Sequence, residues 1–463
     1  MLIVEKSCKT LINKALQLRY FHLNWCCLQN TDMKIQNSSS VSPFGGLNYV
    51  LETFDKLGID KFLISQFPRL APQCKYTWKD ILYSYWSVFF CGGDCAEDLA
   101  FNLKPTLSPH PKINMPSPDR VLERIKALSL PSRFFKTERG QTVHQFSINK
   151  YLNQINLKLL KKLALIHEKQ NILDYDNTLI FTEKSDAKNT YQKKYGYCPG
   201  VGIIGKNIVY IENRNGNSNP ETLQKQTLER MFDILEENDI HISAFRADGA
   251  SYTLATIAEI DKRVEKFYIR GRVYDTFADI LNEVKEWSKV EFHGKTVYRA
   301  SILFTPFTKV AKRTKQEHLL KQYRLVITKE ARDDGQINLF TGEAFNYRAI
   351  LTNDFELSDN DVVFFYNQRG ATEREFDVLK NDFGWNNMPF SKMEQNHVFL
   401  IITSMCRNLY NYIINSFSKL YRQLKPHFRI KKFIFRFICI PAKWFYSGRE
   451  WKLRIYGQIA VKT

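Results

Sequence analysis

The chain lacks the features that would embed it in a membrane or hold it with disulfides. Its most apolar run, Phe433 to Pro441, is too short to span a bilayer and contains Arg436. Cysteine is scarce and odd in number, at nine, with no CxxC pair. Cys91 and Cys95 flank Gly-Gly-Asp, but no second pair follows at zinc-site spacing, which leaves ordinary thiols and a reducing cytoplasm. A dinucleotide site is excluded as well. Gly200, Gly202 and Gly205 match GxGxxG in form, yet they lead into another apolar strand instead of a helix, so a β-hairpin is expected. Acidic residues almost vanish toward the end. From Gly384 to Thr463 only Glu394 and Glu450 stand against 14 Lys and Arg.

What is present is a globular, strongly basic protein. Hydrophobic residues at 44% and aromatics at 14% of 463 residues supply ample core. A formal charge of +19 calls for a polyanion to neutralise its self-repulsion, with nucleic acid ahead of an anionic membrane surface. Residues 1–32 read as an extension upstream of a natural start at Met33. Helical periodicity covers LNYVLETFDKLGI, KDILYSYWSVFFCGG and SPDRVLERIKAL, the last with Ser117 as N-cap and Pro118 at the first helical position. Arg120, Arg124 and Lys126 lie on its polar face, as in a DNA-reading helix or a solvated bundle face. Residues 33–165 are therefore expected to form a helical DNA-binding region.

From Asn171 the period changes. ILDYDNTLIF, VGIIG and NIVYIEN read as strands, followed by a helix to Leu235, the strand HISAFRAD, a helix over Tyr252 to Ile260 and the strand KFYIR. This α/β order matches a ribonuclease-H-like core in residues 166–275. A β-rich insertion follows in 276–345, the core ends in 346–383, and a basic region fills 384–463.

Three carboxylates stand out. Asp176 and Asp248 each end an apolar run, and Asp174 lies two residues before Asp176 on the same strand face, as an alternative to it. Glu373 lies in FYNQRGATEREFDVLKND with Tyr366, Arg369 and Lys380. On a helix these four offsets fall within one stripe about 60° wide. A carboxylate flanked by two cations and a phenol suits an acid holding a metal beside a phosphate. Three such carboxylates outline a site for two magnesium ions, with manganese able to substitute.

The chain resembles the DDE transposases of bacterial insertion sequences, in the branch with a Tyr-x2-Arg-x3-Glu-x6-Lys signature. Tyr366, Arg369, Glu373 and Lys380 keep every spacing, Asp176 and Thr178 give Asp-x-Thr, and Arg246 and Asp248 give Arg-x-Asp. The resemblance implies cut-and-paste transposition, with water nicking the element end and the freed 3′-OH attacking target DNA. It implies that Arg369 and Lys380 contact phosphates and that Tyr366 positions the DNA backbone. Two protomers would act on paired ends of terminal inverted repeats, with no membrane involved. Trp287 is a candidate platform for a flipped base. Gly370 departs from a good helix former and blurs where the glutamate helix begins. The alternatives are a relic that binds DNA without cutting it and a nuclease that cuts without joining.

Overall fold

Hydrophobic alternation and turn residues build one large mixed sheet. The computed structural model describes residues 41–459, apart from 108–109, 138–139, 273–276, 293 and 338–343. The expected extension, residues 1–32, lies outside the described residues. In chain order the main strands are β1 (Arg133–Lys136), β2 (Val143–Ser147) and β3 (Asn171–Asn177). A short trio follows: β4 (Ile180–Phe181), β5 (Lys188–Asn189) and β6 (Tyr195–Tyr197). Then come β7 (Gly200–Ile204), β8 (Asn207–Arg214), β9 (Ile242–Ala247) and β10 (Lys266–Gly271). The last members are β11 (Ser288–Phe292), β12 (Lys295–Phe304), β13 (Tyr323–Ala331) and β14 (Phe345–Thr352). Eleven of these join in the order β1-β2-β8-β7-β3-β9-β10-β14-β13-β12-β11.

At the centre, β3, β7 and β8 form the expected antiparallel meander. Strands β9 and β10 then run parallel to β3. β7 and β8 are buried along their whole length, as strands covered on both faces must be. Gly205 turns between them at φ 63°, a left-handed conformation that glycine adopts freely. The GxGxxG-like run is thus a hairpin.

Helices cover this centre. The Met393–Leu420 helix is buried on nearly all sides and crosses β8. Its Asn408 accepts the Ile208 N–H at 2.9 Å, and a His397 ring nitrogen meets the Ile211 carbonyl at 3.0 Å. The N-terminal helices Leu47–Lys56, Trp78–Phe90 and Pro118–Lys126 share its hydrophobic core, and the Trp86 indole N–H donates to the Ile402 carbonyl at 3.1 Å. Local signals explain their starts: Thr77 and Asp80 form a capping box, and Ser117 caps ahead of Pro118.

Three expectations change. ILDYDNTLIF is not one strand. The chain leaves the large sheet after Asn177, and Ile180–Phe181 pairs instead within a separate sheet ordered β4-β6-β5. The basic β-rich stretch adds its strands to the main sheet, since β13 pairs with β14 and β14 with β10. The continuous helix expected through Tyr366 to Lys380 is broken. Helix Asp359–Asn367 passes through a 3-10 turn at Gln368–Gly370 before helix Ala371–Asp382.

Candidate active site

Three adjacent parallel strands bring their carboxyl ends to one place, where α/β sheets bind ligands. Tyr175 of β3 stands opposite Ala247 of β9, so Asp176 and Asp248 come next on neighbouring strands. Ile269 of β10 stands opposite the same Ala247, which places Arg270 beside Asp248. Asp248 also caps the 3-10 turn Gly249–Ser251, accepting the Ala250 N–H at 2.9 Å. Thr178 is buried, and its N–H donates to the Pro199 carbonyl at 3.1 Å, fixing the chain where it leaves β3.

Helix Ala371–Asp382 supplies the third carboxylate. Glu373 and Lys380 line a cavity of about 610 Å³ together with Asp176, Asp248, Arg270 and Arg369. Arg369, from the 3-10 turn, sets Nη2 at 2.8 Å from Asp176 Oδ2. The three carboxylates surround the cavity without converging, since their oxygens are not all within 4.8 Å of one another.

The electrostatics follow from this enclosure. Burial pushes the Asp176 carboxyl up to about 6; Arg369 opposes the shift, while Asp248 and Glu373 add to it by repulsion. Arg369 is itself buried, which disfavours its charge, yet Asp176 and its neighbours hold its pKa above the usual range. Burial lowers the Lys380 ammonium pKa, with Asp377 opposing. Three hard oxygen donors that repel one another fit a divalent cation, which would relieve that repulsion.

Asp174 is engaged elsewhere. Arg246 stands opposite it in register and donates Nε and Nη2 to its two oxygens at 2.7 and 2.8 Å, with both side chains buried. Nη1 of Arg246 donates to the Phe365 carbonyl at 2.8 Å. The arginine of Arg-x-Asp therefore ties both strands to the helix that precedes Arg369. Tyr366 does not line the carboxylate cavity. It faces a neighbouring cavity of about 480 Å³ with Arg270, Arg299 and Arg348. Arg120, Arg124 and Lys126 are not brought to the carboxylates: Arg120 pairs with Glu123 at 2.6 Å, and Arg124 reaches Cys74 Sγ at 3.0 Å. Trp287 lies apart from the cavity too, with the Lys329 ammonium 4.6 Å from its ring centroid.

Sequence reasoning passed over Arg270 and Asp377, which also line the cavity. Arg270 ends KFYIR as Asp248 ends HISAFRAD, and Asp377 lies four residues after Glu373, so both signals were present. Asp94, Cys95 and Asp98 place ligand atoms within 4.8 Å of one another. There Asp98 accepts the N–H groups of Asp94 and Cys95 and closes a loop, and burial lifts the Cys95 thiol to about 11. Among the described residues no helix is long and apolar enough to cross a membrane.

Comparison with known proteins identifies the family. The family described as transposase DDE domain group 1 matches residues 29–463, and the chain belongs to it. A search of the curated proteins finds no match. Among solved structures, the chain is similar to a cryo-EM structure of the piggyBac transposase synaptic complex with hairpin DNA. The identity is 11% and the TM-score 0.41, over 83% of this chain and 78% of that one.

Proposed function

We propose that this member of the transposase DDE domain family moves an insertion sequence by cut-and-paste transposition. It would hydrolyse phosphodiesters at the element ends and join the freed 3′-OH to target DNA. The observation that carries the reading is the meeting of Asp176 and Asp248, on adjacent parallel strand ends, with Glu373 from a distant helix. The strand order β8-β7-β3-β9-β10 supports a ribonuclease-H-like core beneath them.

Asp176, Asp248 and Glu373 are the metal ligands of this proposal. Two Mg²⁺ ions, with Mn²⁺ able to substitute, would supply stabilisation of the attacking and leaving oxygens. Arg369, Lys380 and Arg270, which line the cavity, neutralise phosphates there, and Tyr366 positions the strand from the adjoining cavity. Arg120, Arg124 and Lys126 contact the terminal inverted repeats from the helical region, and two protomers pair the ends.

The test is cleavage of labelled DNA carrying the repeats that flank this gene, with magnesium and then manganese. Wild type is expected to nick at the element boundary. Asp176→Asn, Asp248→Asn and Glu373→Gln are expected to bind the DNA and leave it intact. Binding by wild type with no cleavage in either metal would instead mark a DNA-binding relic.

A further inference from the structure

Glu373 sits on a helix that is fixed at one end and loosely seated at the other. The far half of helix Ala371–Asp382 is anchored, since Phe376, Leu379 and the following Phe383 belong to the hydrophobic core. The Asp382 side chain is fully buried and accepts Nε and Nη2 of Arg429 at 2.9 and 3.0 Å. The near end has little to hold it. Gly370 stands at the N-cap with no side chain to cap the first turn, and the 3-10 turn Gln368–Gly370 precedes it.

The helix also stands between two cavities. Glu373, Phe376, Asp377 and Lys380 make its front, against the carboxylate cavity. Ala371, Arg374, Glu375 and Val378 make its rear, on a larger cavity of about 1260 Å³ that Arg407, Tyr410 and Asn411 of the Met393–Leu420 helix also line. At the rear a buried ion pair ties the helix back: Arg407 Nη2 donates to Glu375 Oε2 at 2.7 Å, with both side chains 10% exposed or less. Nη1 of Arg407 donates to Asn411, while its Nε is buried without a partner. So are the Thr372 hydroxyl in the first turn and Nε of Arg369 just before it. Unpaired buried polar atoms cost free energy, so the present seating of the helix start is costly, and the open cavity in front gives it room to move.

The carboxylates call for such a movement. Oxygens bound to one Mg²⁺ ion lie within about 4 Å of one another, and those of Asp176, Asp248 and Glu373 are not all within 4.8 Å. The pairing of β3 with β9 sets Asp176 and Asp248, which leaves Glu373 to close the gap. We infer that Arg407 is a positioning residue for Glu373: through Glu375 it holds the helix back from the two aspartates, and on cation binding the helix start swings forward about the turn Gln368–Gly370 against that hold. This rests on the reading of the three carboxylates as metal ligands and adds to it the element that moves.

The experiment titrates Mn²⁺ by calorimetry into the full chain, as wild type and as Glu375→Gln. Of the two cavities Glu375 lines only the rear one, and the amide keeps its shape while removing the charge that Arg407 holds. Mn²⁺ is expected to bind Glu375→Gln about fivefold more tightly, because the forward position is then more populated. Loss of a negative charge near a cation site weakens binding by itself, so a gain reads the released helix. Wild type gives a second reading without any substitution: saturating Mg²⁺ is expected to slow amide hydrogen exchange across residues 368–378 and to leave the ladder of β3 with β9 unchanged. Equal or weaker binding by folded Glu375→Gln, or exchange across 368–378 that ignores the cation, would overturn the inference and leave the metal site standing. A wild type that binds no Mn²⁺ would overturn the metal site as well.

Discussion

Arg246 sets the two aspartates of β3 apart by pairing with Asp174 alone. Period-2 alternation puts Asp174 and Asp176 on the same face of β3, so sequence alone left both open. The partner that separates them comes from β9, and the pairing of β3 with β9 is not a local property of either strand. Asp174, held by two guanidinium N–H groups, belongs to the framework, whereas Asp176 at the strand end lines the cavity. Breaking a buried ion pair strands a charge, so Arg246→Ala is expected to cost about 3–5 kcal/mol of stability. Denaturant melts of Arg246→Ala, Asp174→Asn and Asp176→Asn check this. Asp174→Asn should also lose stability, and Asp176→Asn should keep most of it while losing cleavage.

The raised carboxyl of Asp176 carries a second residue-scale prediction. In its proposed role as a metal ligand Asp176 must shed its proton, and in the metal-free protein it does so only near 6. Below that pH the proton competes with the cation, so Mn²⁺ affinity is expected to fall up to about tenfold per pH unit, and to level off above it. Calorimetric titration between pH 5 and pH 8 reads the effect, and a flat profile would contradict it.

At the scale of elements, the glutamate helix shows how local rules and tertiary demands divide the work. Its sequence carries a helical stripe, and the site side chains that line the cavity, Arg369, Glu373 and Lys380, do share one side. The 3-10 turn at Gln368–Gly370 shifts the register upstream, which helps explain why Tyr366 faces the next cavity. Gly370 has helical dihedrals, φ −55° and ψ −14°, and an added Cβ would meet nothing within 4 Å. Gly370→Ala is therefore expected to stabilise the protein by about 0.5–1 kcal/mol, seen as a higher denaturant midpoint. Helix starts were readable from Thr77, Ser117 and Pro118, because caps act within a few residues. The exit of the chain from the large sheet after Asn177 was not readable, since apolar residues continue through Ile180 and Phe181 into a different sheet.

At the scale of the whole molecule, the N-terminal helices and the long helix near the other end share one core. Sequence patterning showed each helix but not that Trp86 would meet Ile402, because nothing local links positions so far apart. His397 lies in this shared core, fully buried, with its ring nitrogens on the Ser147 hydroxyl and the Ile211 carbonyl. Burial lowers its pKa from 6.5 to about 4. The unfolded chain accepts a proton that folded His397 refuses. Its contribution to stability is therefore complete above about pH 6.5 and is lost as pH falls toward 4, by about 3 kcal/mol in all. His110, also lowered to about 4 by burial, acts with the same sign. Melting temperatures across that window are expected to fall with pH, less steeply in His397→Gln.

The proposed function requires the cavity of Asp176, Asp248 and Glu373 both to cut and to join DNA. The most direct measurement supplies precut element ends bearing a free 3′-OH, a supercoiled plasmid and magnesium, and looks for covalently joined products. Joined products are expected with wild type and none with Asp176→Asn, Asp248→Asn or Glu373→Gln. Cleavage of intact ends without any joining would contradict it and leave a nuclease in its place.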